Sequence, residues 1–127
     1  MKPKHTKSKA NDHHLVVQNY SVRIYPGRSS KPAADISGKA LGYVTLRGKG
    51  TEFTIQFLPD GSTLPLPLYN AHDDTVDLCM NWCQFEGLLR LLKHADSVHA
   101  HYFMDAGVPW ADVEGEYGRP KKRGWRK

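Results

Sequence analysis

The sequence predicts an α+β domain, in which one helix packs on one face of a mostly antiparallel sheet of about five strands. Three observations lead to this prediction. Segments between residues 15 and 104 alternate apolar and polar side chains with the period of two that is typical of strands. Turn sequences rich in Gly, Pro and Asp separate those segments. One segment, at about residues 82–95, places Phe85, Leu88, Leu89 and Leu92 on a single stripe, as an amphipathic helix does.

The first three predicted strands occupy the N-terminal half of the chain. The first begins at Leu15 and ends before Pro26, and the second and third, at about residues 41–47 and 51–58, are joined by Gly-Lys-Gly. Because that short glycine-rich connection suits a tight turn, the two strands predict a hairpin. The predicted apolar face of the first strand consists of Val16, Tyr20, Val22 and Ile24, with Gln18 interrupting it.

The second half of the chain supplies the remaining strands and the helix. Residues 64–68 alternate leucine with proline, and because proline cannot donate a ladder hydrogen bond, they predict an edge strand or an extended loop. Residues 75–80 predict a strand, and Asn81 is a suitable N-cap for the helix that follows. Residues 97–104 predict the last strand, whereas residues 105–118 predict irregular structure.

Charge divides the chain into one domain and two tails. Residues 1–13 and 119–127 show no apolar period and predict flexible basic tails, which leaves residues 14–118 as a single domain. The net charge of +5 is uneven, since residues 1–50 carry +8, residues 51–118 carry −9 and the last nine residues carry +6. Basic ends of this kind are typical of chains that bind nucleic acid or an acidic protein surface.

Composition argues against several classes of protein. Hydrophobic residues make up 39% of the chain, enough for one core. No apolar run approaches the roughly 18 residues of a membrane span, and no apolar segment of a secretory signal follows the basic N-terminus. Two cysteines, Cys79 and Cys83, do not make a disulfide framework. We therefore expect a cytoplasmic protein without a membrane partner.

Aromatic and basic side chains are interleaved on the predicted outward face of the first three strands. Such a face suits single-stranded nucleic acid, because rings stack on bases and cations neutralise phosphates. The alternative interpretation is an ordinary solvated sheet face. The predicted nucleic-acid-binding residues are Arg23, Tyr25, Tyr43, Arg47 and Lys49 on the sheet, with Lys121, Lys122, Arg123, Trp125 and Arg126 in the C-terminal tail.

A His-x-His pair is the pattern closest to a metal site. His99 and His101 share one face of the last predicted strand, about 6–7 Å apart. His72 and the aspartates after it could add ligands to a zinc or iron site. The alternatives are exposed histidines without a ligand, or the base and acid of a metal-free ribonuclease. We therefore predict no cofactor and keep these three histidines as candidate metal ligands only.

Residues 75–92 carry a resemblance to a known family. They combine a short apolar strand, a polar step, Gln84 followed by Phe85, and a leucine stripe that continues to Leu92. This resembles the strand-to-helix junction of the positive-cofactor-four family of single-stranded-DNA-binding proteins, and the order of four strands then a helix is also similar. The resemblance implies a curved sheet that binds single strands, and a dimer packed through the helices. Three features depart from the family: the step between Leu78 and Gln84 is long, a strand follows the helix, and the second half is acidic.

These observations favour a small non-enzymatic module that binds nucleic acid, with single-stranded DNA or RNA preferred over duplex. Two other interpretations stay open. One is a protein-interaction module, such as an inhibitor or adaptor of phage or mobile-element type, which would use the acidic second half and the exposed sheet face. The other is a metal-dependent or histidine-based nuclease. No enzyme motif decides among them.

Overall fold

The computed structural model describes residues 12–25 and 40–118. They form seven strands, one 3₁₀ turn and one α-helix. The elements are β1 (His13–Ile24), β2 (Gly42–Gly50), β3 (Glu52–Leu58), β4 (Leu68–Asn70), β5 (Thr75–Asn81), the 3₁₀ turn (Trp82–Gln84), α1 (Phe85–His94), β6 (Ser97–Asp105) and β7 (Val108–Glu116). The predicted C-terminal tail lies outside the described residues, as does the predicted N-terminal tail up to residue 11. His13, the last residue of that predicted tail, pairs with Tyr102 as the first residue of β1.

All seven strands belong to one sheet, in the order β4-β5-β3-β2-β1-β6-β7. Five neighbouring pairs are antiparallel, whereas β3 and β5 pair in parallel. The coarse prediction of an α+β fold with one short helix is confirmed for the described residues. The finer prediction is wrong, because the sheet is mixed and has seven strands rather than about five.

Strand β7 accounts for part of this error. It lies within residues 105–118, for which the sequence predicts irregular structure. In the fold its inward positions, which include Pro109 and Gly115, are small, and its other positions are mostly acidic. It pairs with β6 along its whole length. Ala106 and Gly107, which join the two strands, both have positive φ, as a two-residue hairpin turn requires. Turn geometry and pairing therefore form this strand without a strong apolar pattern.

The parallel pair of β3 and β5 follows from the length of their connection. Residues 59–74 lie between them and include β4, which pairs with β5 at the edge of the sheet. A parallel pair needs such a long connection, whereas a tight turn reverses the chain, as between β2 and β3. The prediction of a hairpin from β2 and β3 is confirmed.

Gly48 of this hairpin also allows the backbone of β1 to approach β2. A Cβ at Gly48 would collide with the carbonyl oxygen of Val16.

A β-bulge at Gln18 divides β1 into two halves with opposite alternation. The register with β2 shifts between Val17 and Asn19, so one extra residue lies in β1. Before the bulge Leu15 faces inward and is fully buried, whereas after it Tyr20 and the following even-numbered residues share the inward side. The prediction that Val16 shares a face with Tyr20 is therefore wrong. Because the bulge adds one residue to β1, the alternation of inward and outward side chains on one side of it does not continue on the other.

The helix begins later than predicted, because its first turn has 3₁₀ geometry. The backbone N–H of Asn81 donates a hydrogen bond to Oε1 of Gln84, and α1 follows at Phe85. Phe85 and Leu88 are buried against the sheet. Among the described residues no helix is long and apolar enough to cross a membrane.

The sheet curls into a half-barrel around its core. Its inward side chains and those of α1 form one cluster, in which Phe53, Phe57 and Ile55 are fully buried. The curl brings the edge strand β4 toward the start of β1, where the rings of Tyr69 and His13 stack 3.7 Å apart. Pairing of β6 with β1 reaches only residues 13–16, and beyond it Val22 and Ile24 are 40% and 54% exposed. The opposite side of the sheet, away from α1, is the outer face.

Candidate nucleic-acid interface

The strands bring the five predicted sheet residues to the outer face. The bulge in β1 sets the alternation that turns Arg23 outward. On β2 the same face holds Tyr43, Arg47 and Lys49, because residues two apart lie on one side of a strand. Register places Arg23 opposite Tyr43. The sequence therefore predicted this grouping correctly, although it misplaced the alternation at the start of β1.

Two tyrosines and an arginine form a compact group at one end of this face. The rings of Tyr25 and Tyr43 meet edge to face, with centroids 5.9 Å apart. The guanidinium of Arg23 lies 5.8 Å from the centroid of the Tyr43 ring, within the range of a cation–π contact. Burial raises the pKa of Tyr25, and the adjacent Tyr43 raises it further, so its phenol is neutral at neutral pH. We call Arg23, Tyr25 and Tyr43 the aromatic group.

The cations of β2 continue from this group along the strand. Arg47 is four residues from Tyr43, about 13 Å along the strand. Its Nε atom lies 3.8 Å from Oε1 of Glu52, and both side chains are more than two-fifths exposed. A solvent-exposed ion pair contributes only about 0–1 kcal/mol, so Arg47 can exchange this partner for a phosphate. Lys49 is exposed two residues further on.

Acidic groups limit the positive potential of the outer face. Glu52 neutralises part of Arg47, and Asp77 of β5 lies opposite Thr54 of β3. The described residues as a whole hold twelve Asp and Glu against five Lys and Arg. The positive charge of the chain therefore lies mainly outside them. The predicted tail residues Lys121, Lys122, Arg123, Trp125 and Arg126 are among the residues that the structure does not describe.

The three predicted metal-ligand histidines are not brought together. His99 and His101 lie on the outer face of β6, but His72 lies in the turn between β4 and β5. Within the described residues no three or more His, Cys, Asp or Glu side chains are arranged to hold a metal ion. The structure instead places His14 of β1 beside His99, with Nε2 of His14 and Nδ1 of His99 3.3 Å apart. Sequence reasoning missed His14 because it began the first strand at Leu15.

Comparison with known proteins adds no further evidence. No protein-family model, curated protein or solved structure matches this chain. The resemblance of residues 75–92 to the positive-cofactor-four family therefore stays a prediction, as does the dimer that it implies.

Proposed function

We propose that this protein binds single-stranded DNA or RNA, without an enzymatic step, across the outer face of β1 and β2. The observation that carries the proposal is the aromatic group, in which two tyrosine rings and a guanidinium meet on an exposed sheet. Flat rings on a sheet accept unstacked bases, and each stacked base contributes about 1–3 kcal/mol by alanine substitution. A guanidinium beside such a ring adds a second plane for stacking.

Arg47 and Lys49 supply the phosphate contacts in this arrangement. They follow Tyr43 along one strand, so a nucleic-acid chain lying along β2 meets a base platform first and then two cations. Phosphate contacts hold the backbone but carry no base information. We therefore expect binding with little sequence preference and with strong salt dependence.

The C-terminal tail adds charge to the same function. Its six Lys and Arg residues surround Trp125, so it offers both counterion release and a further ring for stacking. An acidic protein surface would attract the same tail. A protein partner is therefore the alternative to nucleic acid.

The test is a titration of the full chain with a fluorescent single-stranded oligonucleotide at two salt concentrations. Tyr43→Ala is expected to weaken binding by about 1–3 kcal/mol at both salts, because it removes a stacking ring. Arg47→Ala is expected to weaken binding less, and mainly at low salt, because it removes one phosphate contact. Tyr117→Ala and Arg90→Ala are matched controls, since both side chains are exposed away from the aromatic group.

The proposal fails if wild type binds the oligonucleotide no better than a random basic peptide, or if the control variants weaken binding as much as their counterparts. If both outer-face variants instead lose a protein partner that oligonucleotide does not displace, the protein-interaction function replaces it. A thermal melt of each variant separates these outcomes from simple loss of folding.

A further inference from the structure

Three histidines lie together on the outer face where β1 and β6 pair. We name His14, His99 and His101 the histidine cluster. The antiparallel register sets His14 directly opposite His101. His99 is two residues before His101 on the same face of β6, so it lies diagonally across from His14. Measured between ring centroids, His14 lies 4.6 Å from His101 and 5.4 Å from His99. Three imidazoles thus come from two paired strands whose positions are fixed by backbone hydrogen bonds.

The distance between two of these rings matches the geometry of a metal site. The Nε2 atom of His14 and the Nδ1 atom of His99 are 3.3 Å apart. Tetrahedral zinc binds imidazole nitrogens at about 2.0–2.1 Å, which separates two ligand nitrogens by about 3.3–3.4 Å. His14 and His99 are therefore spaced as two ligands of one ion.

The third histidine has a carboxylate partner of the kind that orients metal ligands. Nδ1 of His101 lies 3.7 Å from Oδ1 of Asp112, its neighbour in the register of β6 and β7. Histidines that bind metals commonly donate one ring N–H to a carboxylate, which leaves the other nitrogen for the ion. With Nδ1 of His101 facing Asp112, Nε2 is the nitrogen left for an ion.

We propose that the histidine cluster binds a divalent transition metal ion, zinc above all, with Asp112 as the partner that orients His101. As the side chains stand, no three ligand atoms in the described part of the chain converge on one point, so the ring of His101 must turn toward the other two. Its side chain is 35% exposed, which leaves room for that rotation. The fourth position of the ion faces solvent.

The chemistry of the three side chains decides which ion the histidine cluster suits. Imidazole ligands suit zinc, copper and nickel, and are poor ligands for calcium or magnesium. This site is separate from the aromatic group, and the inference does not depend on nucleic-acid binding.

The test is isothermal titration of the full chain with zinc chloride at pH 7.5, and with cobalt(II), whose visible absorption reports its coordination. We expect one ion per chain and a tetrahedral cobalt spectrum. His14→Gln and His99→Gln should each weaken binding at least about tenfold, and Asp112→Asn should weaken it about 10–100-fold. His72→Gln and His94→Gln are matched controls, since both histidines are exposed in other elements and should leave binding unchanged.

Three results would overturn the inference. One is a wild-type affinity for zinc no tighter than that of His14→Gln, which would mean that the contact between His14 and His99 is only a hydrogen bond. Another is an equal loss in the control variants, which would mean scattered surface binding. The third is no rise in the melting temperature of wild type with saturating zinc, because an ion that binds only the folded state must stabilise it. A far-UV spectrum of each variant shows that it is folded, and two ligand variants on different strands guard against a local defect.

Discussion

Asp77 is a single residue whose surroundings oppose its charge. It lies on the outer face of β5, opposite Thr54, and is half-buried there. Burial raises the pKa of its carboxyl group, and the negative charge of Asp73 raises it further. The folded protein therefore holds this proton more tightly than the unfolded chain does. Stability from this group is present in full below its ordinary pKa of 3.8 and is lost as pH rises through the raised value.

We expect the substitution Asp77→Asn to remove this pH-dependent loss of stability. As pH rises from about 3.8 toward neutrality, the free energy of unfolding of wild type should fall relative to that of the variant, because only wild type must ionise a half-buried group. Urea denaturation at a series of pH values measures the difference. Glu86→Gln is the control, since it removes one exposed acid from α1. A difference between Asp77→Asn and wild type that does not change with pH would contradict the prediction.

At the scale of the element, α1 reaches the last strand through one glycine. A Cβ at Gly115 of β7 would lie 2.9 Å from the Cβ of Ala95 and closer still to Leu91. The end of Leu91 can turn away, but Ala95 has no such freedom. The absence of a side chain at Gly115 therefore lets the helix end pack directly on β7.

Two glycine substitutions should have opposite effects on stability. Gly115→Ala should destabilise the protein by about 1–3 kcal/mol, because it overpacks this contact. Gly87→Ala, in the first turn of α1, should stabilise it by about 0.5–1 kcal/mol, because a Cβ there meets nothing within 4 Å and alanine favours a helix. Chemical denaturation of the two variants beside wild type measures both. If both substitutions changed the free energy of unfolding by the same amount and in the same direction, close packing of the helix end on Gly115 would be excluded.

At the scale of the whole molecule, the described residues are acidic and most of the positive charge lies elsewhere in the sequence. The described residues carry a net charge of −7, whereas the remaining residues hold thirteen Lys and Arg and one Asp. The net negative charge of the described residues repels phosphate, apart from the local contacts that the cations of the outer face provide. Under the proposed function, most of the electrostatic attraction to nucleic acid therefore comes from the segments outside the described residues.

Deletion of residues 119–127 should weaken oligonucleotide binding equally for all sequences. It removes six positive charges, and on single strands each lost phosphate contact flattens the logarithmic salt dependence by about 0.7. Titrations at four salt concentrations measure the slope. A full-length variant with those six residues changed to glutamine should match the deletion, because charge and not length is responsible. An unchanged slope would exclude the tail from the interface.

Local pattern alone determined much of this protein. Strands β2 and β3 and their hairpin, the strand β5, the amphipathic α1 and the outward side chains of β2 all follow from periodicity and turn sequence, which act over a few residues. The outward placement of Tyr43 on β2 followed for the same reason. These features need no knowledge of which strands pair.

Only the tertiary structure decided the rest, because it depends on pairing between distant segments. The bulge at Gln18 arises from register with β2, and it reverses the alternation of β1. Strand β7 exists because β6 offers an edge to pair with, although its own pattern is weak. The histidine cluster joins His14 to residues 85 and 87 positions later in the chain, so no spacing in the sequence could reveal it. Contacts of that separation are set by strand order, which local periodicity does not encode.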